Sequence, residues 1–204
     1  MQTCMPSCVD NTNKPKVGYA NGCKIKSRKG GIPRLTFLIC DPDYVHPNAV
    51  EEGQSPWENL DNVKAAMCAG LLNFSGEVLG SKPKGSFTKR RMGSCSPEET
   101  IGGTKPINFQ DYNSSDDLID FDFWSWVQEN RSRLKFGWIS CDDLWYQFDG
   151  SWDLEIDQVA DDNSEQGKTY YDGVITTQTE AIIKPISVPG LLNLLENFEE
   201  TACY

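Results

Sequence analysis

The sequence contains a single histidine, His46, and it lacks long apolar segments. A serine or cysteine nucleophile usually needs a histidine as its general base, and His46 stands beside a proline in a stretch that predicts a loop. No run approaches the roughly 18 apolar residues that a membrane-spanning helix needs. The first residues have neither the basic segment nor the apolar segment of a secretory signal. These absences argue against a catalytic triad and against a membrane protein, and they favour synthesis and folding in a cytoplasm.

The sequence also has little that would hold a cofactor. Its paired glycines, at 30–31 and 102–103, are too short to cradle a phosphate group. Tetrahedral zinc usually takes two pairs of closely spaced ligands, and among the eight cysteines only Cys4 and Cys8 have that spacing. We therefore expect no cofactor and mostly reduced cysteines. A disulfide within the N-terminal region is one alternative, and the other is a zinc site formed by Cys4, Cys8, Cys23 and Cys40.

Charge is plentiful but unevenly distributed along the chain. Residues 1–110 carry fourteen Lys and Arg against ten Asp and Glu, whereas residues 111–204 carry five against twenty. When one chain has a basic surface and an acidic surface, the basic surface of one copy can meet the acidic surface of the next. The alternative is an acidic protein with a lopsided surface and no such contact. The net charge of −11 argues against duplex nucleic acid as the main partner.

Two sets of charged residues are the candidates for contacts between copies. The basic set lies in a segment rich in glycine and proline, residues 76–110, which predicts a long assembly loop with short strands. Its members are Lys82, Lys84, Lys89, Arg90 and Arg91. The acidic set lies further along the chain and comprises Asp153, Glu155, Asp157, Asp161, Asp162 and Glu165.

Hydrophobic patterning predicts a mainly β fold with a few helices, that is, an α+β protein. We expect an extended N-terminal arm over residues 1–31 and a single β-rich domain over residues 32–204. The domain should be an antiparallel β-sandwich or partial barrel with one flanking helix. The predicted strands are at 32–40, at 135–141 and, as one long strand, from Val174 to Ser187. A helix is predicted between Pro56 and Gly70, with a strand over 62–74 as the alternative, and an amphipathic helix is predicted at 189–199. A further predicted helix ends near Arg133 and carries on one side Leu118, Phe121, Trp124 and Val127.

The clearest local pattern surrounds the dipeptide Asp149-Gly150. Alternating apolar and polar residues stand on both sides of it, over 144–156. A two-residue type I′ hairpin turn needs positive φ at both central positions, and Asp-Gly meets that need. The pattern therefore predicts a β-hairpin in which Trp145 lies opposite Leu154.

Two other classes of function are compatible with the residues of the C-terminal half. A pair of carboxylates can carry out glycoside hydrolysis, and the candidates here are Asp142, Asp143, Glu155 and Asp157, with Trp145 and Trp152 as sugar platforms. Alternatively, exposed rings on a sheet beside acidic residues bind carbohydrate or a basic partner, and Trp145, Tyr146 and Trp152 could form such a surface. The competing interpretation is that these rings fill the core.

The order of these features resembles that of small virion structural proteins of tailed bacteriophages. The shared features are a polar arm, a first strand, a long variable loop, a helix, a meander with an Asp-Gly hairpin and a long threonine-rich strand, together covering residues 32–188. The resemblance is greatest to tail-tube, neck and ring components. The eight cysteines and the leucine-rich C-terminal helix depart from many tube proteins, so a neck or head-stabilising protein is the alternative.

The resemblance implies a non-enzymatic protein that assembles with copies of itself into a ring or tube. It also implies contacts with other virion proteins and a location in the virion after synthesis in the host cytoplasm. The inner surface of such a ring is typically acidic, so that DNA passes without binding specifically. The acidic residues of the candidate set would line that surface, and no membrane would be involved.

Overall fold

A computed structural model describes residues 31–49, 54–91, 98–112, 117–160, 169–178, 183–198 and Cys203. The expected N-terminal arm, apart from Gly31, lies outside the described residues. The described chain forms two antiparallel sheets and three helices. The mainly β, α+β class and the sandwich-like architecture expected from the sequence are therefore confirmed.

The strands are β1 Arg34–Ile39, β2 Leu72–Phe74, β3 Val78–Ser81, β4 Ser86–Arg91, β5 Glu98–Asp111, β6 Leu134–Ile139, β7 Leu144–Phe148, β8 Trp152–Ala160, β9 Thr169–Thr177 and β10 Pro185–Ser187. The helices are α1 Leu60–Cys68, α2 Asp117–Asn130 and α3 Leu191–Glu196. The first sheet has the strand order β10-β7-β6-β1-β2, and the second sheet has the order β3-β5-β9-β8. Strand β4 pairs with β5 beyond this second sheet.

The first sheet is the middle layer, because its strands bury side chains on both faces. On β1, Leu35 and Phe37 belong to the core between the two sheets, whereas Leu38 packs on the opposite face. The core between the sheets also takes Phe109 and Ile175 from the second sheet. Side chains of a strand alternate between its two faces, so a strand covered on both sides is apolar nearly throughout, as β1 is.

Helices α1 and α3 cover the outer face of the first sheet. Their apolar residues pack around Trp145, which is buried. The indole Nε1 of Trp145 donates a hydrogen bond to Thr36 Oγ1, two strands away, at 2.9 Å. The indole can cross the intervening strand β6 because Gly137 lies beneath it: a Cβ on Gly137 would come within 2.9 Å of Nε1 and 2.6 Å of Thr36 Oγ1. The glycine thus permits a buried polar contact across three strands.

Helix α2 closes the core between the sheets. Trp124 stacks on Phe109 with ring centroids 4.9 Å apart, and its Nε1 donates to the buried carboxylate of Asp111. Val127, one turn further on, is fully buried. The sequence placed Phe121 on this same buried side, and that prediction is wrong because Phe121 is 56% exposed.

Helix α3 confirms the predicted C-terminal helix over a shorter span than 189–199. Its N-terminal amides are capped by a distant residue, Asp143, in the turn between β6 and β7. The carboxylate of Asp143 accepts hydrogen bonds from the amides of Gly190 and Leu192, at 3.3 and 2.9 Å. Asp143 itself has a φ of 56°, a conformation that aspartate adopts more readily than most residues.

The predicted hairpin at Asp149-Gly150 is wrong. Strand β7 pairs with β6 and β10 in the first sheet, and β8 pairs with β9 in the second, so this turn carries the chain between sheets. Neither turn residue has a positive φ. The glycine is explained by close packing, because a Cβ at Gly150 would come within 2.5 Å of the Phe148 ring.

Two further expectations are corrected by the sheet pairings. The long strand predicted from Val174 to Ser187 is two strands, since β9 ends at Thr177 in the second sheet and β10 belongs to the first. The segment 76–110, predicted to be mostly loop, instead contains β3, β4 and most of the fourteen-residue β5. Hydrogen bonding to partner strands distant in sequence overrides the local preference of its glycines and prolines.

A disulfide joins Cys68, at the end of α1, to Cys203, across a sequence separation of 135 residues. These two cysteines are therefore not reduced core residues. Cys40 is exposed and forms no disulfide with any described residue. The other members of the proposed zinc set, Cys4, Cys8 and Cys23, lie outside the described residues.

Candidate assembly surfaces

The basic residues of segment 76–110 lie on a two-stranded ribbon that extends beyond the second sheet. Within the part of the chain that the structure describes, residues 98–104 of β5 pair only with β4, because pairing with β9 begins at Lys105. We call β4 and residues 98–104 the β4–β5 ribbon. Four consecutive residues of β4, 88–91, are all exposed. Since successive side chains point to opposite faces, neither face of β4 over residues 88–91 is covered by the part of the chain that the structure describes.

The ribbon forms despite its glycines because they allow the two strands to approach closely. Gly103 has a φ of 150°, and a Cβ there would lie 2.3 Å from the carbonyl oxygen of Ser86. The pairing shifts register between Thr88 and Lys89, which is a β-bulge. A bulge increases the local twist of a ribbon, and this one lies beside the three adjacent cations of β4.

The register places acidic residues opposite two of those cations. Arg90 pairs with Glu99 and Arg91 with Glu98, whereas Lys89 lies opposite Thr100. Charge along the sequence does not place the two glutamates beside the cations, because their cross-strand partners follow from the register. The paired strands therefore bring together residues of both charge signs, with the cations in the majority.

The base of the ribbon is basic, but one of its lysines contacts its own chain. The ammonium of Lys82 lies 3.9 Å from the centre of the Trp138 ring, and Trp138 stacks on Tyr146. Burial of the amine, followed by repulsion from Lys105, lowers the pKa of Lys82 to about 8. Lys82 and Lys84 are both exposed, and Lys82 additionally lies over the aromatic ring of Trp138. All five members of the basic set are therefore exposed residues.

Strand β8 carries the described acidic residues on the outer face of the second sheet. Asp153, Glu155 and Asp157 are all exposed and alternate with residues that face the core, such as the buried Leu154. The neighbouring strand adds Asp172, which is also exposed and lies directly opposite Asp157. The remaining members of the acidic set, Asp161, Asp162 and Glu165, lie outside the described residues.

The described acidic residues are not equally available. Asp153 forms an ion pair with Arg131, and both side chains are about half exposed. Glu155 and Asp157 have no such partner among the residues that the structure describes. Two like charges directly opposite each other destabilise a sheet, so the Asp157 and Asp172 pair costs the fold some stability and favours the approach of a cation.

Strand β8 is also an edge strand. Among the described residues it pairs with β9 alone, over nine residues, which leaves the backbone groups of its other side open. Long open edges can pair with a strand from another chain, and charged side chains usually restrict which strand is accepted. An acidic edge of this kind favours a basic partner.

The two alternative sites expected in the C-terminal half are not assembled. Trp145 is buried under the helices, Tyr146 packs on the other face of the same sheet, and the Nε1 of Trp152 donates to a backbone carbonyl, so the three rings form no common surface. The rings fill the core instead. Asp142 and Asp143 lie at the turn between β6 and β7, whereas Glu155 and Asp157 lie on the outer face of the second sheet.

Comparison with protein-family models, with curated proteins and with solved structures gave no match to this chain. Among the helices of the described ranges, none combines the length and the apolar character needed to cross a membrane.

Proposed function

We propose that this chain is a non-enzymatic structural protein whose copies assemble into a ring or tube. In this proposal the β4–β5 ribbon of one copy lies against the acidic outer face and open edge of β8 in the next copy. Because the two surfaces differ, the contact is heterologous, and repetition of a heterologous contact produces closed rings or open helical arrays. The tail tube of a tailed bacteriophage is the assembly that this arrangement favours.

One observation carries the proposal: among the described residues, nothing covers either face of β4 over residues 88–91. An isolated two-stranded ribbon is only marginally stable in water. A neighbouring molecule that covers the ribbon would supply the missing burial. Residues 82–105 contain six cations against two glutamates, so the ribbon and its base are basic overall, and the opposing surface carries Glu155, Asp157 and Asp172.

Two other features support a virion protein. The sandwich-like fold is the one that the resemblance to tail-tube and neck proteins implies. Two features on which the resemblance was based, the Asp-Gly hairpin and the long threonine-rich strand, are absent from the described chain, because it crosses from one sheet to the other at both places. The disulfide between Cys68 and Cys203 favours an oxidising environment. A virion meets such an environment after it leaves the host cytoplasm.

The size of the purified chain in solution tests the proposal. We expect rings or tubes in electron micrographs at low salt, and smaller species by sedimentation as the salt concentration rises. Salt weakens contacts between exposed charges because the Debye length falls from about 10 Å at 0.1 M to about 3 Å at 1 M. A monomer that persists at every salt and protein concentration would refute self-assembly.

Charge reversals on the two surfaces test the specific contact. Lys89→Glu is the cleanest change on the ribbon, because Lys89 has no charged residue opposite it. We expect it to raise the concentration needed for assembly at least about tenfold, which corresponds to 1.4 kcal/mol per contact. The control is Lys184→Glu, which reverses an exposed cation outside both surfaces. Equal effects of the two substitutions would contradict a role for the ribbon.

The reciprocal change is Asp157→Lys. It should weaken assembly in the same way, yet stabilise the isolated chain by roughly 0.2–1 kcal/mol because the like-charge pair with Asp172 disappears. Combining Lys89→Glu with Asp157→Lys exchanges the signs of the two surfaces and should restore assembly. If both single variants impair assembly and the double variant impairs it further, these two surfaces do not face each other.

A further inference from the structure

A pocket of about 330 Å³ opens on the outer face of the first sheet, away from both assembly surfaces. Its floor is formed by the ends of β1, β6 and β7, and its wall is the loop that follows β1 together with Trp57. The apolar part of the lining includes Leu38, Leu71 and Trp57. This volume lies at the small end of the range of ligand pockets, roughly 300–1,000 Å³.

Three residues of the lining each carry one buried polar atom that has no hydrogen-bond partner among the described residues. These atoms are the hydroxyl of Tyr44, Nδ1 of His46 and Nε2 of Gln147. Buried polar groups in folded proteins nearly always have partners, and a group left without one costs the fold stability. Three such atoms in one pocket indicate a site whose partner is a ligand.

Aromatic packing fixes the orientation of these groups. The rings of Tyr44 and His46 meet edge to face with centroids 5.1 Å apart, and His46 meets Trp57 in the same way at 4.4 Å. Trp57 in turn packs against the buried Trp145 at 5.4 Å. The side chains of Tyr44 and His46 are therefore held in place before any ligand arrives, which reduces the entropy cost of binding.

The protonation states leave the site rich in donors. Burial lowers the pKa of His46 and raises that of Tyr44, so both side chains are neutral near pH 7. The ammonium of Lys135 is at the same pocket, 2.8 Å from a carboxylate oxygen of Asp149, and this hydrogen bond raises its pKa. The carboxylate of Asp41, also in the lining, already accepts a hydrogen bond from a backbone amide of its own turn.

The donors determine what kind of ligand suits the pocket. Gln147 Nε2 and Lys135 Nζ can only donate, whereas the Tyr44 hydroxyl and His46 Nδ1 can donate or accept. A ligand that offers several acceptors satisfies the three unpartnered groups at once. A carboxylate does so, and the apolar lining suits a short organic body attached to it. We propose that this pocket binds a small organic acid through its carboxylate, with Tyr44, His46 and Gln147 as the groups that contact it.

Ligand-observed NMR and calorimetry with four small acids test this proposal: acetate, propanoate, butanoate and benzoate. The matched uncharged amides of the same acids and inorganic phosphate are the comparison probes. We expect benzoate or butanoate to bind with a Kd of about 1 mM. We expect the amides to bind at least about tenfold more weakly, because an amide has one acceptor fewer and carries no charge.

Two substitutions separate a binding role from a structural one. Tyr44→Phe and Gln147→Leu each remove a buried polar group that has no partner in the empty protein. Each should therefore raise the unfolding temperature without ligand, by about 2 °C or more, while weakening benzoate binding at least about tenfold. A purely structural role would instead lower the unfolding temperature. Tyr112→Phe is the control, because the exposed Tyr112 donates its hydroxyl to Gln110 on the second sheet, and its loss should affect neither measurement.

Several outcomes would overturn the proposal. These are no binding by any of the four acids, equal binding of acids and amides, binding of phosphate alone, or undiminished binding in the Tyr44→Phe and Gln147→Leu double variant. None of these results bears on self-assembly, because the pocket and the assembly surfaces are on different sheets.

Discussion

Removing the disulfide between Cys68 and Cys203 should lower the unfolding temperature by about 10–20 °C. The bond joins the end of α1 to a residue at the far end of the chain, 135 positions later. In the unfolded chain this link closes a very long loop. Because Cys68 is exposed, its replacement by serine disturbs little packing. The decrease in unfolding temperature therefore measures mainly the conformational entropy that the unfolded chain regains.

The magnitude follows from the length of the loop. A link between residues 135 apart removes chain entropy from the unfolded state worth about 5 kcal/mol at 25 °C. Proteins of this size lose about 2–4 °C of unfolding temperature per kcal/mol. The total stability of a domain is about 5–15 kcal/mol, so this one bond accounts for a large part of it.

Calorimetry of oxidised protein, reduced protein and the Cys68→Ser and Cys203→Ser variants measures this effect. Reduction and either substitution should give the same lowered unfolding temperature, and reduction should not change the variants further. Cys40→Ser is the control, because Cys40 is exposed and has no disulfide with a described residue. A change of less than about 3 °C on reduction, under 1 kcal/mol for a chain of this size, would refute the loop-entropy reasoning.

Two further predictions concern the first sheet. Gly137→Ala should destabilise the fold by about 1–3 kcal/mol in a denaturant titration, because the new methyl group would press on Thr36 and a backbone carbonyl. Gly102→Ala is the control, because a Cβ there meets no atom within 4 Å and should lower the free energy of unfolding far less. Asp143→Asn should lower the free energy of unfolding by about 1 kcal/mol, because it weakens the cap on the amides of Gly190 and Leu192. Asparagine tolerates the positive φ of this position, so the backbone is not disturbed. An unchanged denaturation midpoint would contradict the capping role.

Local sequence patterns predicted several elements of the fold because those elements are specified within a few residues. Strand β1 is a short apolar run followed by Asp41, and α1 has apolar residues at helical spacing. The predicted helix start at Pro56 is a separate turn of 3-10 helix, and α1 itself begins at Leu60 with Asn59 as its N-cap. Helix α3 repeats leucine at i and i+4, and both Leu191 and Leu195 are buried. In each case the apolar residues that predict the element lie within it or within a few positions of it.

The sheet assignments could not be predicted in the same way. An Asp-Gly dipeptide between alternating runs has the same local pattern whether the chain folds back or crosses to another sheet. The glycine at 150 is required by the Phe148 ring, a contact that exists only in the folded protein. The break between β9 and β10 likewise depends on strands far away in the chain, which pair with each part separately.

The candidate sites were predicted only in part. The exposed cations of β4 and the acidic residues of β8 were identified from charge alone. Their cross-strand neighbours, Glu98, Glu99 and Asp172, were missed because they depend on the register. The pocket that includes Tyr44 and Gln147 was not anticipated, since these residues are about a hundred positions apart and neither belongs to a recognisable motif.

The crossings of the chain between its two sheets have a consequence for its synthesis. Strand β1 is made early, but the first sheet is completed only by β10, about 150 residues later. At the usual rate of translation, about 5–20 residues per second, the first strands wait roughly 7–30 s for their last partner. During this interval their apolar side chains are incompletely covered, so aggregation competes with folding for longer than it would if neighbouring strands followed one another in the chain.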